Sequence, residues 1–138
     1  MNNIERCINE IGYAVSPIMG TSMLPLLKEG RDRVELVSRD RKQLKRGDVV
    51  LYKKNDGKLV LHRIIKILDE NTFLTLGDHQ FKNAEQVRRE QIIALAKGFF
   101  INNRYIDESK LKYRIYKKIW LGNLTVRRCC LWALSLKK

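Results

Sequence analysis

Ile4, Ile8 and Ile11 recur at helical spacing, so residues 2–12 read as a short amphipathic helix ended by Gly12. Residues 13–18 read as extended, interrupted by Pro17. Between Arg33 and Ile101 the pattern changes to short runs rich in Val, Ile, Leu, Phe and Thr. These runs predict strands over 34–37, 49–52, 59–68, 72–76 and 92–101. Gly30, Gly47, Asp56-Gly57, Glu70-Asn71 and Asn102-Asn103 punctuate them as turns. The 59–68 run is apolar on both faces, which predicts a central strand buried on two sides. Leu111, Ile115 and Ile119, then Leu131 and Leu134, return to helical periodicity and predict helices over 108–121 and 123–136, broken at Gly122-Asn123. Strands joined by short connections, with no alternating helices, point to an α+β fold that is mainly β. Its expected form is an antiparallel, partly coiled sheet with a short N-terminal helix and C-terminal helices.

Composition sharpens this picture in two places. At 138 residues and 44% apolar content the chain is expected to form one soluble globular domain over 1–107, followed by a basic amphipathic helical extension over 108–138. The net charge is +13, and every charged residue from Lys110 to Lys138 is basic. Such an excess favours a polyanionic partner, an anionic membrane surface or nucleic acid, and it also suits a solvated tail helix. Basic charge alone supplies only non-specific, salt-sensitive nucleic-acid affinity, so specific nucleic-acid recognition is not expected. The apolar run ending at Leu136 holds Arg127 and Arg128 near its centre. Each arginine costs about 2.5–3.5 kcal/mol on insertion against a return of about 0.3–0.6 per Leu, Ile or Val, so the run is read as non-spanning. Three cysteines, Cys7 and the adjacent Cys129 and Cys130, form no disulfide framework and suit a reduced, cytoplasmic setting. The first six residues lack the apolar core of a secretion signal. No metal-ligand spacing and no nucleotide-binding motif is present, so no cofactor is expected.

Three segments carry candidate chemistry. In Gly20-Thr21-Ser22-Met23-Leu24-Pro25, Gly20 permits a close or left-handed backbone and Pro25 stiffens the chain after the serine. His62 lies in the 59–68 run and has an ordinary pKa near 6.5, suited to general-base work at neutral pH; a strand histidine can equally be a core residue. Asp78, after the 72–76 run, is placed to orient an imidazole, although Gly-Asp is also an ordinary turn. Arg46-Gly47-Asp48 reads as a turn into the next strand.

Taken in order, Gly-x-Ser-Met-x-Pro, Arg-Gly-Asp-Val-Val at 46–50, His-Arg-Ile at 62–64 and Gly-Asp at 77–78 resemble the boxes of the signal peptidase I and LexA-like serine peptidase superfamily, over residues 16–101. The resemblance implies a coiled antiparallel β-sheet peptidase domain. It is similar to the short, anchorless bacterial members, with histidine where the Ser-Lys enzymes carry lysine. It implies Ser22 as nucleophile, His62 as general base and Asp78 as the residue steadying His62. Gly20, Met23 and Pro25 would support the loop, and the Ser22 N–H would contribute to the oxyanion hole. Arg63 is then a structural partner of a carboxylate. Glu85 stands near the place of a second acid found in Ser-His relatives, and His79 ranks below His62 as a base.

The function expected from these boxes is a serine endopeptidase that cleaves an extended peptide or leader, with small residues favoured beside the cut bond. The alternatives are a LexA-like regulatory domain, or a membrane-peripheral binding domain that kept the fold. For the first, the residues before Ser22 are too few for a helix-turn-helix unit. For the second, the basic C-terminal helix with Trp120 and Trp132 suits an interface at the inner face of the membrane. With His62 as base, activity is expected to rise through a pKa near 6.5; a flat profile between about pH 5 and 8 would favour Lys53 or Lys58 instead.

Overall fold

The computed structural model describes residues 2–135. It is a mixed α+β structure, mainly β, built on an eight-stranded antiparallel sheet. Helix α1 (Asn3–Ile11) begins at Asn2, whose side chain accepts from the Glu5 N–H while Glu5 reaches back to the Asn2 N–H. This reciprocal cap stabilises a short helix by about 1 kcal/mol. Gly12 ends it, and strand β1 (Tyr13–Pro17) follows.

The remaining strands are β2 (Arg33–Ser38), β3 (Val49–Lys53), β4 (Leu59–Asp69), β5 (Thr72–Leu76), β6 (Glu85–Arg88), β7 (Ile92–Ile101) and β8 (Arg104–Ile106). Their order is β1-β2-β7-β3-β4-β5-β6, with β8 also paired to β7. The predicted strands are all present. Two more, β6 and β8, went unread because each is a short edge piece with few apolar residues. Asn102 and Asn103 both adopt positive φ (51° and 65°), the geometry of a tight hairpin turn, and this is what returns the chain to pair β8 on β7.

The sheet coils around two apolar clusters. Val49 and Leu51 of β3 face one, with Met23, Leu36 and Phe99, whereas Val50 and Tyr52 face the other, with Ile64, Phe73 and Leu95. The strand buried on both faces is therefore β3, whose first four residues are all buried. The expectation for 59–68 needs correction: β4 is buried only at Arg63 and Ile64. The reason is geometric. β4 pairs with β3 over residues 59–63 and with β5 over 63–69, so each end of this long strand has only one neighbour.

Helices α2 (Leu111–Gly122) and α3 (Leu124–Ser135) break at Asn123, where the backbone returns to an extended conformation. Leu136, at the end of the expected second helix, and the two terminal lysines of the expected extension lie outside the described residues. These helices pack onto the sheet: Tyr113 and Trp120 are buried, and Arg127 is buried completely. Among the described residues no helix is long and apolar enough to cross a membrane.

Candidate active site

The loop from Ile18 to Leu27 is pinned by its apolar residues. Ile18, Met23 and Leu27 are buried in the first cluster, so Ser22 is held between fixed points. Gly20 adopts φ 77°, a left-handed conformation that glycine takes without steric cost. The Leu24 N–H donates to the Thr21 carbonyl (3.1 Å) and the Leu27 N–H to the Met23 carbonyl (2.9 Å), forming a tight turn that carries the half-buried Pro25. Ser22 itself is half-buried, and its carbonyl accepts from the His79 N–H at 2.9 Å.

His62 pairs with Val50 across β3 and β4. It lines one pocket of about 200 Å³ together with Ser22, walled by Ile18, Met19, Met23 and the 59–61 segment. A Cβ added to Gly77 would lie 3.1 Å from His62 Nε2 and only 2.4 Å from the Ser22 carbonyl oxygen. The absence of a side chain at position 77 is thus what lets the serine loop and the imidazole approach each other. Among the described residues no hydrogen bond joins the Ser22 hydroxyl to the ring. Catalytic contacts of this kind often close only when substrate is bound.

The other ring nitrogen has a defined partner. His62 Nδ1 lies 3.1 Å from the Tyr52 hydroxyl, which donates to Glu85 Oε1 at 2.7 Å and accepts from the Thr75 hydroxyl at 3.1 Å. A phenol has one proton, and here it is given to the carboxylate, so Nδ1 must be the donor to the phenol oxygen. Burial, reinforced by the nearby Glu85 charge, raises the Tyr52 pKa and keeps that proton in place. Neutral His62 therefore carries its proton on Nδ1 and leaves the Nε2 lone pair open toward Gly77. Burial pushes the His62 pKa down to about 4, while Glu85 and then Asp78 act in the opposite direction. Lys54, ion-paired with Glu85 at 3.3 Å, opposes protonation as well.

Among the described residues Asp78 makes no hydrogen bond to His62, although its charge favours the imidazolium. Its carboxylate is fully buried and occupied by Arg63, through Nε to Oδ1 and Nη2 to Oδ2, both at 2.8 Å. The Tyr116 hydroxyl donates to Oδ2 at 2.8 Å, and Trp120 Nε1 donates to the Asp78 carbonyl at 2.7 Å. Arg63 completes its bonds with the Gly47 carbonyl and the Tyr113 hydroxyl, the structural part expected of it. Arg127 adds a second clamp, donating to the carbonyls of Gly77, Gln80 and Trp120. Glu85 is the acid linked to His62 by hydrogen bonds, through Tyr52.

Tyr52 is a site residue that no sequence motif marks. Its signal in the sequence was a lone hydroxyl in the apolar run 49–52, two residues along from the partner of His62 and so on the same sheet face. His79 is exposed and serves through its backbone, while Lys53 and Lys58 are exposed and outside the Ser22 pocket. Arg46-Gly47-Asp48 is a held turn: the Gly47 N–H donates to the Ile64 carbonyl, Arg46 donates to the carbonyls of Ile65 and Leu121, and Asp48 pairs with Lys42. Comparison with protein-family models, with curated proteins and with solved structures returned no match.

Proposed function

We propose that this chain is a serine endopeptidase of Ser-His type, with a β-sheet domain of the signal peptidase and LexA kind. The observation that carries the reading is the shared pocket of Ser22 and His62, in which the Tyr52–Glu85 pair sets the tautomer a general base needs. Ser22 Oγ attacks the scissile carbonyl and its proton passes to His62 Nε2. The Tyr52 oxygen and the Glu85 charge stabilise the resulting imidazolium. Nε2 then returns the proton to the leaving amine, and water releases the acyl group by the same route. A substrate strand adds to the free edge at β1, which leads directly into the serine loop. Asp78 serves as a scaffold residue under this reading.

Labelling by a fluorophosphonate, followed by peptide mapping, tests this reading. The label is expected on Ser22, at a rate that rises through about pH 4 and is level above about pH 6, because only neutral imidazole accepts the serine proton. Labelling elsewhere would defeat it, whereas a rate still climbing between about pH 6 and 8 would show that burial lowers the His62 pKa less than this. The usual pKa of 6.5 gave the opposite expectation for that range, and burial is the reason for the change. The same shift has a stability counterpart. A histidine with a lowered folded pKa stabilises the fold above its unfolded pKa near 6.5, and that contribution is lost as pH falls toward about 4. The loss is about 3 kcal/mol, to be read from urea melts at both pH values.

Tyr52→Phe removes the acceptor of the Nδ1 proton and is expected to lower kcat/KM by about 100-fold. Glu85→Gln should instead move the acidic limb to lower pH, since the Glu85 charge raises the His62 pKa. A purely structural role for Glu85 would leave the limb where it is.

A further inference from the structure

We infer that the outer face of α2 docks on an anionic lipid bilayer. This goes beyond the peptidase reading and stands apart from it. The inner face of α2 is committed to the fold through Tyr113, Tyr116 and Trp120. Trp120, expected from the sequence at an interface, is therefore unavailable. On the opposite side Leu111, Ile115 and Ile119 recur every four residues and are 62, 50 and 44% exposed. Side chains at this spacing form one stripe along a helix. Lys112, Arg114 and Lys118 are exposed and flank it. The helix thus presents aliphatic residues to solvent between rows of cations.

The charges are placed against the interests of the helix. Lys110 and Lys112 stand at the N-terminal end of α2, where the helix dipole favours acids, and its first turn contains none. Helix α1 is built the other way, with Glu5 in its cap. A surface outside the chain that attracts cations accounts for the arrangement. A bilayer fits better than a protein partner. Lysine is depleted in protein interfaces, and from Lys110 onward no acidic residue is present to fix a register. An anionic membrane needs no register; it rewards an apolar stripe with basic flanks lying in its plane. A groove of about 620 Å³ beside Leu111 extends the apolar surface inward, with Arg104, Lys110 and Lys112 in its wall.

Cosedimentation of the full chain with phosphatidylcholine vesicles, with and without phosphatidylglycerol, tests this at low and high salt. The chain is expected to pellet with the anionic vesicles at low salt and to be released by high salt. Ile115→Glu, at an exposed helical position, should weaken binding at least about 10-fold while leaving the thermal melt unchanged. The double change Lys112→Gln with Lys118→Gln should cost about 5-fold per residue at low salt and flatten the salt dependence. The inference is overturned if anionic vesicles bind nothing, or if Ile115→Glu binds as tightly as the native chain. It is likewise overturned if sedimentation velocity shows the native chain self-associating and Ile115→Glu monomeric, because a second copy would then cover the stripe.

Discussion

Ser22→Ala is expected to lower peptide turnover by about 10⁴-fold or more while leaving the fold intact. The two halves of this prediction have separate causes. In the proposed mechanism the hydroxyl is the group that attacks, and no neighbouring group in the pocket replaces it: the remaining walls are aliphatic, thioether or imidazole. The stability of the loop, by contrast, comes from buried Met23 and Leu27 and from the bond between the Ser22 carbonyl and the His79 N–H, none of which needs the hydroxyl. A half-buried Ser→Ala change of this kind should move stability by only about 0.5 kcal/mol. The check is turnover of a mixed peptide library with thermal melts run in parallel. A variant that cuts as well as the native chain would remove Ser22 from the mechanism altogether.

The second large effect is on stability. Asp78→Ala is expected to destabilise the fold by about 3–5 kcal/mol, because it strands the Arg63 guanidinium, fully buried, without its carboxylate. Tyr116 loses its acceptor in the same step. For a chain of this size the melting temperature should fall by roughly 10–20 °C. Arg63→Ala should do similar damage by leaving the carboxylate unpaired. Replacing both partners together with Leu and Met should cost much less than either alone, since the loss comes chiefly from an uncompensated charge. Additive losses in a double-mutant cycle would show that the two residues do not act as a pair.

Periodicity made most of the fold legible. The α1 boundaries, the main strands and the break between α2 and α3 follow from apolar spacing and from Gly12, Asn102-Asn103 and Gly122-Asn123. What periodicity could not reveal was which strand has neighbours at both edges along its length. Leu59–Asp69 is the longer run and carries more apolar residues than Val49–Lys53, yet topology places β7 and β4 on either side of the shorter strand. The candidate site was half legible. Ser22 and His62 stood out from their surroundings, and Gly77 brings them together. Gly-Asp gives no hint that Arg63, from the adjacent strand, occupies the Asp78 carboxylate. The link from Glu85 to His62 passes through a tyrosine thirty-three residues away in sequence, and only strand pairing reveals it.

The clamp on residues 77–80 has a consequence in time. Every residue that would touch substrate in the proposed mechanism lies before Ile101, but three of the groups that hold this loop beside Arg63, namely Tyr116, Trp120 and Arg127, belong to the segment made afterwards. A nascent chain that has released only its sheet carries Ser22 and His62 without the brace beneath them. On the peptidase reading, cleavage would begin only once the helices have emerged and folded back.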